Sequence, residues 1–99
     1  MIVNINRKEL LPLVKKTALA APSNHSNDEL RGILLEADER SGLLRLTATN
    51  FELAIQTVTR AAIENGGSVV ADARLFLNIL TLLPGDDLYL EEQANHLLF

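Results

Sequence analysis

The feature that most constrains this chain is LTATNFELAIQTV, Leu46 to Val58, in which two alternations of apolar and polar residues run back to back. Alternation is typical of strands with one buried face, because neighbouring side chains point to opposite sides of a strand. Only Thr49 and Asn50 separate the two alternations, and asparagine tolerates tight corners. We therefore predict two antiparallel strands joined by a two-residue corner. Their predicted buried residues are Leu44, Leu46 and Ala48 on the first strand and Phe51, Leu53 and Ile55 on the second.

In two segments, the spacing of the apolar residues changes from the alternation of a strand to the period of a helix. The first follows Asn6, a residue type that caps helices, and should end near Pro22. The second follows Asp72 and should end at the PGDD turn. The first helix is predicted to bury Leu10, Leu13, Val14, Thr17, Ala18 and Ala21, and to expose Lys8, Glu9, Pro12, Lys15 and Lys16. The second has a narrow polar stripe of Arg74, Asn78 and Thr81.

Strand patterns at 1–5, 32–38, 43–49, 51–61, 67–71, 87–92 and 95–99 complete the order. The order is β-α-β-β-β and then β-α-β-β, which is an internal repeat with halves at about 1–61 and 67–99. We predict an α+β domain spanning 1–99, with one antiparallel sheet and both helices on one side. The second half is one strand short and ends on the apolar run HLLF, which favours a fragment of a larger protein. In the alternative reading, 95–99 is simply a C-terminal strand.

Several kinds of chemistry find no support in the residues. The chain has no cysteine, and neither His25 nor His96 has the spacing of a metal ligand pair. Aromatic residues make up only 4% of the chain, too few for binding single strands by base stacking. We predict no catalytic residue, no cofactor and no metal site, and therefore no enzyme. The absence of a long apolar run or a signal-peptide pattern predicts a cytoplasmic protein with no membrane partner.

Charge is unevenly distributed along the chain. Residues 1–20 hold four basic residues and one acidic residue, whereas the remainder holds five basic and twelve acidic residues. One basic segment on an acidic body suggests a polyanionic partner on a single face, and the plainer reading is a solvated helix.

Three segments resemble a known family in their order and spacing: INRKELLPLVKKTALA, LTATNFELAIQTVTRA and VVADARLFLNILTLLPGDDLYLE. They are similar to the N-terminal domain of the bacterial sliding clamp, the beta subunit of the replicative DNA polymerase, over nearly the whole chain. The resemblance implies two β-α-β-β-β halves whose helices face the central channel of a ring. It also implies a non-catalytic processivity factor that encircles duplex DNA without reading its sequence.

The resemblance further implies which residues face DNA. By position these are Lys8, Lys15, Lys16, Arg74 and Asn78, with Asn24 where the family usually has a basic residue in a loop. Leu75 and Thr81 stand where many members carry basic residues. The implied partners are duplex DNA, other clamp subunits in a homodimeric ring, and the clamp loader and polymerase in the full protein. The alternative is a degenerate, stand-alone clamp-like domain that binds a protein partner through an open sheet edge.

Overall fold

The computed structural model describes residues 1–21, 32–50, 52–94 and 96–99. In chain order, the elements within these residues are β1 (Ile2–Asn6), α1 (Arg7–Ala18), β2 (Gly32–Asp38), β3 (Leu43–Thr49), β4 (Ala54–Arg60), β5 (Ala62–Asn65), β6 (Gly67–Asp72), α2 (Ala73–Leu82), β7 (Asp87–Gln93) and β8 (His96–Leu98). This order confirms that a short strand leads directly into a helix in each half, and it adds one strand, β5, that the sequence did not predict.

The strands form two antiparallel four-stranded sheets, with the orders β5-β1-β7-β8 and β4-β3-β2-β6. The predicted α+β class is confirmed, but the prediction of a single sheet is wrong. The reason is that the first strand of each half pairs with the hairpin of the other half: β1 with β7, and β6 with β2. Each sheet therefore contains strands from both halves, which alternation along the chain cannot reveal because alternation specifies a buried face and no neighbour.

The first helix begins where its sequence predicts but ends earlier, at Ala18. Three of its six residues predicted to be buried are buried, whereas Leu13, Ala18 and Ala21 are half-buried. The Oδ1 of Asn6 accepts a hydrogen bond from the backbone N–H of Lys8 at 2.8 Å, which satisfies one of the free donors of the first turn. Leu10, Val14 and Thr17 are buried on the side that faces the strands. Pro12 lies inside the helix on its exposed side.

The second helix repeats this design. The Oδ1 of Asp72 accepts a hydrogen bond from the backbone N–H of Leu75 at 3.0 Å. Phe76 and Leu80 are fully buried, and the backbone N–H of Leu83 closes the helix on the carbonyl of Ile79 at 3.0 Å. The predicted cap and end of this helix are confirmed.

The helices pack against each other, with the start of α1 beside the end of α2. Arg7 makes this junction. Its backbone N–H donates to the carbonyl of Asp86 at 2.6 Å, and its guanidinium donates to the carbonyls of Gly85 at 2.8 Å and Leu80 at 3.1 Å. The guanidinium thus satisfies the Leu80 carbonyl in the last turn of α2 and the Gly85 carbonyl in the turn that follows. The two helices form an antiparallel pair, which we call the helix layer.

The corner after β3 differs from the prediction. It spans residues 50–53 and not two residues, because the Asn50 side chain organises a longer turn. Its Oδ1 accepts from the backbone N–H groups of Glu52 at 3.1 Å and Leu53 at 2.8 Å, while its own N–H donates to the Leu53 carbonyl at 3.1 Å. Leu53 is consequently 51% exposed, so its predicted burial is wrong, and position 51 lies outside the described residues.

The predicted strand 51–61 is also shorter than expected. The strand observed there is β4, whose inward side carries Ile55, Thr57 and Thr59. The chain leaves β4 at Ala61, whose N–H donates to the carbonyl of Gly42 at 3.0 Å, and then continues into β5. The inward position of Ile55, opposite Ala48 on β3, agrees with the predicted buried face.

The core lies between the inner faces of the sheets and the buried sides of the helices. Its fully buried aliphatic residues include Val3, Ile33, Leu35, Leu44, Leu46 and Leu90. The predicted burial of Leu44, Leu46 and Ala48 is confirmed. Because the core uses one side of each helix, the opposite side of the helix layer remains exposed to solvent.

Candidate nucleic-acid interface

The exposed side of the helix layer carries all five residues that the sequence placed on a DNA-facing surface within the described part of the chain. They are Lys8, Lys15, Lys16, Arg74 and Asn78, and each is exposed. The structure thus brings cations from both ends of the chain onto one surface. Their role in binding DNA stays a prediction.

Lys8 lies near the junction of the two helices. Its Nζ is 3.4 Å from the Oδ1 of Asp86, and both side chains remain more than half exposed. An exposed ion pair of this kind contributes little to stability, since water and salt screen the attraction. Lys8 can therefore exchange this carboxylate for another anion at small energetic cost.

Lys15 and Lys16 occupy the last turn of α1. Among the described residues, neither forms an ion pair, and the negative end of the helix dipole stabilises their charge. Lys8 and Lys15 are two helical turns apart, which places them on the same side of α1 at a spacing of roughly 10 Å. Lys16 lies further round the helix, on the side that also carries Glu9. The exposed side of α1 therefore carries three lysines and one acidic residue, Glu9, and its positive charge is concentrated in the last turn.

The exposed side of α2 is different. Arg74 is its one charged residue, and Asn78 and Thr81 supply neutral polar groups. Two leucines complete this surface: Leu75 is 59% exposed and Leu82 is 81% exposed. Sequence reasoning identified the loss of charge at Leu75 and Thr81 but overlooked Leu82, which occupies the position in α2 that Lys16 occupies in α1.

The role of Arg7 was also overlooked. It lies in the same basic segment as the three lysines, yet its guanidinium is engaged by carbonyl groups at the end of α2. No local pattern in the sequence shows this, because the acceptors lie more than seventy residues further along the chain. Arg7 therefore holds the helix layer together and contributes less to its free cationic surface.

Of the other residues considered from the sequence, Asn24 and His25 lie outside the described residues. His96 is exposed on β8. In the part of the chain that the structure describes, no three His, Asp or Glu side chains are grouped to hold a metal ion, and no helix has the length and hydrophobicity to cross a membrane.

Two titratable groups among the described residues outside the helix layer have shifted pKa values. Donation from the backbone N–H of Arg40 at 3.0 Å, assisted by the Ser41 hydroxyl, lowers the pKa of Asp38 in the turn after β2. Donation of the Tyr89 hydroxyl to the Glu91 carboxylate at 2.5 Å raises the pKa of Tyr89 on β7. Both shifts follow from local hydrogen bonds at exposed positions.

Comparison with known proteins shows which family this chain resembles in sequence and in fold. The family described as "DNA polymerase III beta subunit, N-terminal domain" matches residues 1–98. The beta sliding clamp of Synechococcus elongatus is 34% identical over 87 residues, which cover 87% of this chain and 23% of the relative. The beta sliding clamp of Streptomyces coelicolor is 31% identical over 84 residues, which cover 85% of this chain and 22% of the relative.

A solved structure agrees with the sequence matches. The beta subunit of DNA polymerase III from Caulobacter crescentus superposes with a TM-score of 0.89 at 26% identity, covering 98% of this chain and 26% of that protein. The chain spans about a quarter of the length of the relatives it matches. Both the two-sheet architecture and the sequence agree with one family, and the chain belongs to the family of the DNA polymerase III beta subunit N-terminal domain.

Proposed function

We propose that this chain acts as the N-terminal domain of a sliding clamp, and that its helix layer faces duplex DNA inside a ring. The observation that carries this proposal is the cationic side of α1, where Lys8, Lys15 and Lys16 are exposed on an otherwise acidic chain. The relatives named as beta sliding clamps support the same assignment. The alternative of a stand-alone domain that binds protein lacks comparable support.

The chemistry of the surface suits a sliding contact. Lysine side chains bind phosphate oxygens as point charges and displace counterions, so the attraction is independent of base sequence. Long, mobile side chains can move from one phosphate to the next without breaking a directional set of hydrogen bonds. In this proposal the domain performs no reaction of its own, and it increases processivity by keeping a polymerase on DNA.

The proposal extends to the whole protein. The domain 1–99 would be one part of a longer, three-domain polypeptide in the cytoplasm, and two such polypeptides would close the ring. The clamp loader and the polymerase would bind elsewhere on the ring, since the described part of this chain offers no deep peptide pocket on its helix layer. These partners are inferred from the family and from the fraction of its relatives that the chain spans.

The test is a charge reversal in the full-length protein. Lys15→Glu/Lys16→Glu should shorten the retention of the loaded ring on circular duplex DNA. It should also flatten the dependence of binding on salt, by about 0.9 in the logarithmic slope for each lost phosphate contact. The matched control is Arg40→Glu in the exposed turn after β2, outside the helix layer. Equal retention and an equal salt slope for the double variant and the wild-type protein would contradict the proposal.

A further inference from the structure

Lys8 and the two lysines at the end of α1 have different local surroundings. Lys15 and Lys16 have no ion-pair partner among the described residues, whereas the Nζ of Lys8 lies 3.4 Å from the Oδ1 of Asp86. Arg74, which holds the corresponding second position of α2, also forms no ion pair within the described part of the chain. Among these four exposed cations of the helix layer, Lys8 is therefore the one that already has a counter-charge beside it.

The backbone around Asp86 is fixed to the start of α1. The Asp86 carbonyl accepts a hydrogen bond from the backbone N–H of Arg7 at 2.6 Å, and the Gly85 carbonyl accepts one from the Arg7 guanidinium at 2.8 Å. Both acceptors are main-chain oxygens, so these bonds hold the turn in place independently of the side chain at position 86. The turn therefore keeps the Asp86 carboxylate within reach of Lys8.

Both members of this pair remain accessible to solvent and to a ligand. The side chains of Lys8 and Asp86 are 70% and 56% exposed. Water screens an ion pair at this exposure, so a phosphate group that reaches Lys8 can displace the carboxylate at little cost. The displaced carboxylate stays close to the phosphate, however, and the two negative charges repel each other. Asp86 therefore weakens a phosphate contact of Lys8 without abolishing it.

The neighbouring acid, Asp87, lacks this geometry. It begins β7, where its backbone lies opposite Asn6 of β1. Leu88 is buried in the core, and consecutive strand residues point to opposite sides, so the Asp87 side chain points away from the core and from the helix layer. Among the described residues, Asp87 forms no ion pair. Two adjacent residues thus carry the same charge, and only Asp86 is placed to compete for Lys8.

We propose that the Asp86 carboxylate is a built-in competitor of DNA phosphate for Lys8, which keeps this contact weak and transient and lets the ring slide more freely. The inference rests on the proposed function, because it requires α1 to face duplex DNA. It assigns different tasks to the two ends of α1: Lys15 and Lys16 supply attraction, and the pair of Lys8 and Asp86 limits it. A lysine that exchanges between a carboxylate and a phosphate neutralises less than one phosphate on average, so it releases fewer counterions.

Binding of the full-length protein to a short linear duplex, measured over a range of salt concentrations, tests the competition. Asp86→Asn removes the carboxylate charge and retains the backbone carbonyl that accepts from Arg7. We expect it to raise the affinity severalfold and to steepen the logarithmic salt slope by up to about 0.9, the value for one full phosphate contact. Asp87→Asn is the matched control, since it removes the same charge from the next residue and should change both quantities little. Equal effects of the two variants would overturn the inference.

A double-mutant cycle shows whether Asp86 acts through Lys8. The gain in affinity from Asp86→Asn should vanish when Lys8→Gln is also present, because the competition then has no object. A gain of the same size in the Lys8→Gln protein would mean that Asp86 repels DNA in general, and it would overturn the inference.

Movement along DNA is the readout of sliding. The ring with Asp86→Asn should diffuse more slowly along a stretched duplex than the wild-type ring and the ring with Asp87→Asn, and equal diffusion of all three would refute the effect on sliding. If Lys15→Glu/Lys16→Glu weakens binding while Asp86→Asn behaves like Asp87→Asn, this inference alone fails. If the lysine variant keeps the wild-type retention and salt slope, the proposed function fails with it.

Discussion

In α1 and α2, corresponding positions carry similar residues near the start and then diverge. Each helix is capped by an Asx side chain and has a basic residue at its second position, Lys8 in α1 and Arg74 in α2. The fourth position is fully buried in both, as Leu10 and Phe76. In the last turn, however, α1 has two exposed lysines where α2 has Thr81 and Leu82.

This comparison of the two helices shows that two kinds of constraint act on their residues. Positions that start a helix or fill the core have similar chemistry in both halves, because both halves must meet the same backbone and packing requirements. Exposed positions are free of these requirements and differ. Under the proposed function, contact with DNA should therefore depend mainly on α1, whose exposed side carries three lysines, because the exposed side of α2 carries only one charged residue and two leucines.

Removing the buried fourth residue should have the largest effect. Leu10→Ala should lower the free energy of unfolding by about 2–5 kcal/mol, since it leaves a cavity in a fully buried site. Phe76→Ala should lower it by about 3–5 kcal/mol for the same reason. Urea unfolding of both variants measures the losses. A loss below about 1 kcal/mol at either position would contradict the equivalence of the two core sites.

Transplanting the charge of α1 onto α2 should have the next largest effect. Thr81→Lys/Leu82→Lys in the full-length protein places lysines at the positions that Lys15 and Lys16 hold in α1. If α2 also faces DNA, ring retention should rise severalfold and the logarithmic salt slope should steepen by up to about 0.9 per added contact. Thr81→Gln/Leu82→Gln controls for the loss of apolar surface. Unchanged retention in the lysine variant would show that α1 alone contacts DNA.

Removing the caps should produce smaller and nearly equal effects. Asn6→Ala and Asp72→Ala each leave a backbone N–H of the first turn without its side-chain acceptor. Each should lower the free energy of unfolding by about 1 kcal/mol. Asn6→Asp and Asp72→Asn preserve the acceptor and should retain most of the stability in urea unfolding. A loss of stability in only one of the two alanine variants would contradict the equivalence of the two caps.

The smallest expected effect concerns the turn after β2. Because hydrogen bonds lower the pKa of Asp38 in the folded state, its ionised form stabilises the fold above the unfolded pKa of about 3.9. That contribution is lost as pH falls through the lower folded-state pKa. Asp38→Asn should therefore weaken the pH dependence of the free energy of unfolding below about pH 4. Near pH 7 the pH dependence should be almost unchanged. Identical acid unfolding of the variant and wild-type chains would contradict this account.

Local patterns predicted much of the fold and most of the candidate surface. The cap at Asn6, the cap at Asp72 and the exposure of Lys15 and Lys16 depend on residues within a turn or two of one another, so the sequence alone shows them. The corner after β3 was predicted too short, since the Asn50 side chain can cap a longer turn and alternation does not show which turn it adopts. The extent of the second strand was consequently wrong as well.

The sequence by itself determined where the helices begin, which sides they bury and which side carries positive charge, because these depend on periodicity and on nearby hydrogen-bonding groups. Only the tertiary structure decided that the strands divide between two sheets, and that β1 pairs with β7 across nearly the whole chain. It also decided that Arg7 closes the end of α2 and does not join the lysines on the surface. These features require groups far apart in sequence to meet, and such encounters depend on how all the elements pack together.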